Sequence, residues 1–175
     1  AGKVGGIEYN SLNPFDFLYE NSLINFNILK GSFNYNINKV IVFGSSCMYP
    51  KNINRAMKES DIMKGELEST NMGYSIAKIF STKLAEFYGK KFKKNYISVI
   101  PAATYGVNDS FDSSKNHVIP ALIKKFHEAL IRKKKSVEIW GSGNAKREFI
   151  YVDDLSQALI LIMNKYNSSE PINIG

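Results

Sequence analysis

A tyrosine and a lysine stand four positions apart in the stretch Tyr74-Ser75-Ile76-Ala77-Lys78. On a helix this spacing puts both side chains on one face. A nearby ammonium favours the charged phenolate, so we expect it to lower the pKa of Tyr74 from the usual value of about 10. Such a hydroxyl can act as an acid or a base beside a carbonyl group. Taken alone, such a pair is common and usually lies on a solvated helix surface.

Small residues follow an apolar run in the segment Gly44-Ser45-Ser46-Cys47-Met48-Tyr49-Pro50. Small residues let backbone and hydroxyl groups approach a ligand closely. On its own the segment is compatible with a plain turn between a strand and a loop. Together with the Tyr74–Lys78 pair, it favours a catalytic arrangement that includes Ser45.

The elements that position these residues alternate along the chain. Short apolar runs predict strands at 39–43, 96–100, 137–140 and 171–174, and helical periodicity predicts helices at 14–33, 71–91, 119–132 and 153–164. In the helix at 71–91, the expected inner residues are Ile76, Ile79, Phe80, Leu84 and Phe87. The alternation predicts an α/β fold with a parallel sheet covered on both faces. Ligands bind beyond the carboxyl ends of such strands, so the loops after Phe43, Ile100 and Trp140 are expected to cluster.

Charge and composition limit the classes of partner. The net charge of +7, from 23 Lys and Arg against 16 Asp and Glu, suggests an anionic partner. Lysines and arginines at 90–94 and 132–135 end predicted helices, where cations complement the helix dipole. These positions explain much of the positive charge. A surface that binds nucleic acid is the alternative explanation, and we do not expect this protein to bind nucleic acid. No apolar run has the length of a membrane span, and the His and Cys spacing fits no zinc site. The single cysteine, Cys47, indicates a reducing compartment, so we expect a cytoplasmic protein without membrane contact.

A set of motifs resembles the extended branch of the short-chain dehydrogenase/reductase superfamily and, within it, the GDP-L-fucose synthases. Ser45, Tyr74 and Lys78 are similar to the catalytic triad of that superfamily. The other motifs are Lys3-Val4-Gly5-Gly6-Ile7, the segment 44–50, Thr70-Asn71 before Tyr74, His117-Val118-Ile119-Pro120-Ala121-Leu122-Ile123, Phe126-His127-Glu128-Ala129, Trp140-Gly141-Ser142-Gly143, Arg147-Glu148-Phe149 and Val152-Asp153-Asp154. The resemblance covers essentially the whole chain, and it implies a Rossmann-like, doubly wound parallel sheet.

The resemblance also implies how the chain is divided. Residues 1–115 are expected to form part of an NADP-binding domain with the catalytic triad. Residues 116–175 are expected to begin a substrate-binding portion that is interleaved with the same sheet. The glycine-rich dinucleotide motif of the family is not found in these residues, the first residue is not Met, and the last residues follow a predicted strand. We therefore expect an internal piece of a longer protein, without the first βαβ unit and much of the substrate domain.

The activity that the resemblance implies is NADPH-dependent epimerisation at C3 and C5 and reduction at C4 of GDP-4-keto-6-deoxy-D-mannose. By resemblance, Cys47 and His117 are the base and acid on opposite faces of the sugar ring. Tyr74 would donate a proton to the C4 oxygen beside Ser45, and Lys78 would hold the nicotinamide ribose. The residues alone leave other interpretations open: Cys47 as a small buried side chain, and His117 as a cap of the following helix.

The family positions also imply the ligand contacts. The expected cofactor-binding residues are Phe43, Gly44, Ser45, Ser46, Lys78, Pro101, Thr104 and His117. Substrate contacts are expected from Lys125, Trp140 and Arg147. The guanidinium of Arg147 can bind two phosphate oxygens at once. The turn Gly141-Ser142-Gly143 is interpreted as an ordinary tight turn. Dimerisation through the helix of Tyr74 and its neighbour is also expected from the family.

Departures from the family pattern leave the sugar open. Ala103 stands where an Asn is usual, Lys125 where an Arg is common, and Met72-Gly73 replaces a more usual Glu-Pro. A related GDP-keto-sugar, for example a heptose, is therefore an alternative substrate. Other NAD-dependent nucleotide-sugar epimerases and dehydratases are further alternatives. The 4,6-dehydratases carry acidic residues after the strand-end serine, which Ser46-Cys47-Met48 lacks.

Overall fold

The strand at the centre of the main sheet is buried on both faces, as its apolar run predicts. The computed structural model describes residues 2–112, 117–139, 141–144 and 146–175. Strand β2 (Asn95–Pro101) lies between two parallel partners, β1 (Lys39–Phe43) and β5 (Ile172–Ile174). Lys39 lies opposite Asn95, and Val99 lies opposite both Phe43 and Ile172. These three predicted strands and the parallel arrangement are confirmed.

Four long helices cover this sheet or extend from it. Their bounds are α2 (Pro14–Asn34), α3 (Met72–Phe92), α4 (Val118–Ile131) and α5 (Val152–Lys165), close to the predicted ranges, and the sequence analysis did not predict the short α1 (Ile7–Leu12). Pro14 occupies the first turn of α2, where its missing N–H is not needed. No helix in the described ranges combines the length and the apolar character that crossing a membrane requires.

Helix α3 buries a different face from the predicted one. Ile76, Phe80 and Phe87 are exposed, whereas Ile79 and Leu84 pack at the edge of the core. The fully buried positions of α3 carry small or polar side chains, Ser75, Ala77, Ser81, Thr82 and Ala85. Short side chains allow α3 to pack closely against α2, β1 and β2. The prediction followed hydrophobicity, and it was wrong for the three exposed residues because close approach selects for size.

The prediction of a strand at 137–140 was wrong for the residues that the structure describes. Residues 137–139 form no strand, and Trp140 lies outside the described residues. A second, two-stranded parallel sheet forms instead from β3 (Ala103–Tyr105) and β4 (Phe149–Tyr151). The backbone N–H of Ala103 donates to the Glu148 carbonyl at 3.1 Å and extends this pairing. An isolated apolar run does not reveal its pairing partner, and residues 137–139 have none in this sheet.

Candidate active site

Lys78 joins helix α3 to the carboxyl end of strand β1. Its side chain is buried, and Nζ donates a hydrogen bond of 2.8 Å to the carbonyl oxygen of Phe43. The ammonium lies over the Tyr74 ring, 5.5 Å from the ring centroid. Burial lowers the pKa of Lys78 from its ordinary value. The predicted pair on one helix face therefore points to the end of the strand.

The hydroxyl of Tyr74 is held in a protonated state. Burial raises the pKa of Tyr74, the negative charge of Cys47 raises it further, and a hydrogen bond with the Ser45 side chain lowers it in part. The sequence predicts the opposite direction, from the charge of Lys78. That prediction was wrong because burial is the largest cause of the shift. The Tyr74 hydroxyl therefore keeps its proton at neutral pH.

The segment after β1 turns so that Ser45 and Cys47 lie near Tyr74. The Ser45 hydroxyl accepts a hydrogen bond of 3.3 Å from the Cys47 backbone N–H and begins a 3₁₀ turn over Ser46–Met48. Gly44 lies beneath this turn, and its N–H donates to the Val99 carbonyl at 2.7 Å. A Cβ atom on Gly44 would lie 2.7 Å from the Met48 methyl carbon. Glycine is therefore required here for close packing.

Two asparagines, neither of them predicted as a site residue, extend this arrangement. The Asn71 side-chain N–H₂ group donates to the Cys47 sulfur at 3.9 Å. The Asn71 oxygen accepts a hydrogen bond of 2.7 Å from the side-chain N–H₂ group of Asn10. The sequence signal is the position of Asn71, three residues before Tyr74 and directly before the first residue of α3. We call Ser45, Cys47, Asn71, Tyr74 and Lys78 the inner group.

Gly73 fixes the position of the start of α3. A Cβ atom there would lie 2.0 Å from the Pro14 carbonyl oxygen, at the junction of α1 and α2. Glycine lets the two backbones approach this closely. The effect of this departure from the family pattern on the choice of substrate stays a prediction.

A second set of contacts ties the loop after Tyr49 to the end of β5. The Tyr49 hydroxyl donates to the Asn173 side-chain oxygen at 2.5 Å, and the Asn173 N–H donates to the Glu59 carboxylate at 2.8 Å. The Asn173 side-chain N–H₂ donates to the Met57 carbonyl at 3.3 Å. Burial raises the pKa of Tyr49 to about 12. The loop is thus fixed at the carboxyl edge of the sheet.

The remaining predicted site residues lie in a different setting. His117 is exposed at the start of α4 and makes no side-chain cap there. The Lys125 ammonium donates to the Glu138 carbonyl at 3.2 Å, and the exposed Arg147 donates to the Lys146 carbonyl at 2.8 Å. We call His117, Lys125 and Arg147 the outer group.

The other predicted cofactor positions lie along the carboxyl edges of the strands. Ser46 is exposed in the 3₁₀ turn, Pro101 ends β2, and the Thr104 hydroxyl donates to the Ala102 carbonyl at 3.3 Å. Among the described residues, no group of three or more His, Cys, Asp or Glu side chains could hold a metal ion.

Comparison with known proteins gives consistent matches over the whole chain. The NAD dependent epimerase/dehydratase family matches residues 1–175. A GDP-L-fucose synthase from Sinorhizobium fredii is 44% identical over 175 residues, 100% of this chain and 56% of that protein. A GDP-L-colitose synthase from Yersinia pseudotuberculosis is 44% identical over 177 residues, 100% of this chain and 58% of that protein. The chain thus spans about half the length of the curated relatives it matches.

A solved structure supports the fold. It is a GDP-D-glycero-L-gluco-heptose synthase from Campylobacter jejuni, crystallised in the presence of NADPH. It is 33% identical with a TM-score of 0.89, and the match covers 100% of this chain and 62% of that chain. This similarity confirms the predicted Rossmann-like α/β fold.

Proposed function

The chain belongs to the NAD dependent epimerase/dehydratase family, and we propose that it epimerises C3 and C5 and reduces C4 of GDP-4-keto-6-deoxy-D-mannose, with NADPH as reductant, to give GDP-L-fucose. The observation that carries the proposal is the close arrangement of Cys47, Ser45 and Tyr74 at the end of β1. A proton acceptor beside two hydroxyl donors can act on a ketone and its neighbouring carbon together.

The residues at the end of β1 fit a nicotinamide nucleotide. Lys78 has three donor hydrogens, and the described residues supply one acceptor for them, the Phe43 carbonyl. The others remain for the hydroxyl groups of a ribose. Gly44 and Ser46, which follow Phe43, add only small side chains beyond the strand end. The proposed cofactor contacts are Phe43, Gly44, Ser45, Ser46, Lys78, Pro101, Thr104 and His117.

In the proposed epimerisation, the chain supplies a base, an acid and an oxyanion site. The Cys47 thiolate removes the proton from a carbon beside the ketone, and the electron pair of the broken C–H bond moves to the ketone oxygen. Ser45 and Tyr74 donate hydrogen bonds to that oxygen. Protonated His117 then gives its proton to the opposite face of the carbon as the ketone reforms. Both groups return to their starting states by proton exchange with solvent.

In the proposed reduction, Tyr74 is the proton donor. NADPH, when bound, supplies the hydride that adds to C4. Tyr74 gives its hydroxyl proton to the oxygen at C4, and its raised pKa keeps that proton in place at neutral pH. Ser45 interacts with the Tyr74 hydroxyl, and the Lys78 ammonium lies over the Tyr74 ring.

Two members of the outer group, Lys125 and Arg147, are assigned to substrate binding. Lys125 and Arg147 would bind the GDP diphosphate, together with Trp140. The division at residues 115 and 116 into a cofactor portion and a substrate portion belongs to the same proposal. A GDP-keto-heptose is the second candidate substrate, since the heptose synthase from Campylobacter jejuni matches with a TM-score of 0.89. Ala103, beside the Glu148 carbonyl, is the position where the two sugars would be distinguished.

The proposal includes a homodimer and a cytoplasmic location. Exposed apolar side chains recur every helical turn or two along both α2 and α3, and they include Phe15, Tyr19, Leu23, Ile76, Phe80 and Phe87. A large exposed apolar surface is typical of a protein–protein interface. Light scattering of the protein in solution tests the dimer. The role of Cys47 requires a free thiol, which a reducing compartment preserves.

The test is turnover with the proposed substrate. The full gene product containing these residues is mixed with GDP-4-keto-6-deoxy-D-mannose and NADPH, nicotinamide absorbance is followed, and the sugar product is identified. We expect NADPH oxidation and GDP-L-fucose. Tyr74→Phe should lower kcat about a thousandfold, because it removes the proton donor.

Tyr88→Phe, on the same helix, is the matched control and should stay within about twofold of wild type. Oxidation of NADPH only with a GDP-keto-heptose would move the assignment to the second substrate. If neither sugar changes, the proposed function is wrong.

A further inference from the structure

The Asn71 amide lies between the Cys47 sulfur and a second amide from a different part of the chain. Its nitrogen faces the sulfur at 3.9 Å, and its oxygen accepts a hydrogen bond of 2.7 Å from Asn10. Asn10 belongs to α1, which rests on the turn before α3, where the Ser11 hydroxyl lies 3.5 Å from the Thr70 carbonyl. The link therefore runs from α1 to the sulfur through one side chain.

The contact with Asn10 decides which end of the Asn71 amide faces Cys47. Because Asn10 presents N–H to the Asn71 oxygen, the Asn71 nitrogen turns to the sulfur. This orientation costs free energy at Asn10, whose own side-chain oxygen is buried and has no hydrogen-bond partner within the described residues. An orphaned buried oxygen requires an explanation. The hydrogen bond to Asn71 is such an explanation, because the Asn10 amide directs its nitrogen to Asn71 and its oxygen away from it.

We propose that Asn71 is a positioning residue, which holds the Cys47 sulfur by hydrogen-bond donation and favours its thiolate, and that Asn10 supports Asn71 in this orientation. Hydrogen bonding to the charged form of a group favours that form. The thiolate is also the reactive form of cysteine. The importance of this for catalysis rests on the proposed function, in which Cys47 is the base.

An isosteric substitution isolates the donor. Asn71→Asp keeps an oxygen that can accept from Asn10, but it replaces the N–H₂ facing the sulfur with a carboxylate oxygen. A carboxylate beside a thiol disfavours the thiolate. Asn27→Asp makes the same change in charge on the exposed surface of α2 and is the matched control.

The first measurement is the rate at which iodoacetamide alkylates Cys47 at neutral pH, followed by peptide mass spectrometry on the full gene product without substrate. We expect Asn71→Asp to slow alkylation about tenfold, with Asn27→Asp close to wild type. Asn10→Asp cannot donate to Asn71, and we expect a smaller slowing in the same direction. Equal rates in Asn71→Asp and Asn27→Asp, at equal melting temperatures, would overturn the proposal. If Asn71→Asp does not fold, Asn10→Asp decides by the same comparison.

A second measurement separates this inference from the proposed function. Wild type is incubated in D₂O with the keto-sugar and no NADPH, and deuterium at C3 and C5 is measured. Slower incorporation in Asn71→Asp, with the rate of C4 reduction retained, supports the positioning role, because a general loss of structure would lower both. If wild type incorporates no deuterium, the proposed function is wrong at the epimerisation step, while the alkylation rates still decide the role of Asn71.

Discussion

The inner and outer groups differ in how the protein holds them. In the inner group, Lys78 donates a hydrogen bond to the carbonyl at the end of β1. Ser45 accepts a hydrogen bond within its own turn and interacts with Tyr74. These contacts join parts of the chain that are distant in sequence. In the outer group, Arg147 donates a hydrogen bond to the carbonyl of the preceding residue, and His117 is exposed. The first set is fixed by the fold, and the second set is presented at the surface.

This difference separates two tasks of a catalytic site. Groups that stabilise a developing charge gain most when they are fixed before the substrate arrives. Groups that bind a flexible diphosphate can be ordered by the ligand, at a cost in affinity. Substitutions that disturb the inner group should therefore change kcat and stability, and substitutions of Lys125 and Arg147 in the outer group should change KM.

The largest effect is expected from filling the space at Gly73. Gly73→Ala puts a methyl group against the Pro14 carbonyl oxygen. It should lower the free energy of unfolding by about 1–3 kcal/mol and lower kcat by displacing Asn71 and Tyr74. Urea unfolding and steady-state kinetics measure both effects.

The control is Gly31→Ala on α2, where nothing lies within 4 Å of the new methyl group. It should raise the free energy of unfolding by about 0.5–1 kcal/mol, since alanine favours a helix over glycine. A destabilised Gly73→Ala with unchanged kcat would break the proposed link between packing and chemistry in the inner group.

A smaller effect is expected from the outer group. Arg147→Ala should raise KM for the GDP-sugar about tenfold, the size of one hydrogen bond to a charged group. The melting temperature and kcat should stay close to wild type, because the side chain is exposed. Lys146→Ala removes the same charge from the next exposed position and should raise KM less. A fall in kcat with unchanged KM would place Arg147 with the inner group instead.

The smallest effect is expected at the contact between Tyr49 and Asn173. Tyr49→Phe removes the hydroxyl that donates to Asn173, and near neutral pH it should lower the free energy of unfolding by about 0.5–1.5 kcal/mol. In the folded protein the pKa of Tyr49 is raised from 10.0 to about 12. The unfolded chain therefore loses its proton first as the pH rises, and wild type loses stability between these values. The difference in the free energy of unfolding between wild type and Tyr49→Phe should therefore become smaller as the pH rises through that range.

Denaturant unfolding at a series of pH values measures this narrowing. Tyr35→Phe is the control, because Tyr35 is 85% exposed. A constant difference across the range would mean that burial does not hold the Tyr49 proton.

The sequence predicts the strands and helices better than it predicts their faces. Apolar runs locate β1, β2 and β5 because a strand buried on both faces needs such side chains along its whole length. For α3, hydrophobic periodicity selects Phe80 and Phe87, which are exposed. The buried face depends on how closely α2 packs against α3. The distance between the two helices cannot be predicted from the hydrophobic periodicity of α3 alone.

The candidate site shows the same limit. Ser45, Tyr74 and Lys78 are found from type and spacing, and the structure brings them together at the end of β1. Asn10 is distant in sequence from Asn71, and only the fold brings the two amides into contact. The direction of the pKa shift of Tyr74 was also missed, since burial depends on the packing of the whole region.

The faces of helix α3 have different surroundings. Its small residues pack against the sheet, Tyr74 and Lys78 point to the end of β1, and Ile76, Phe80 and Phe87 form an exposed apolar surface. A mutation accepted for the benefit of one face must therefore be tolerated by the others. We therefore expect substitutions in α3 to accumulate slowly. We also expect the sequence of α3 to change little when the sugar specificity of the protein changes.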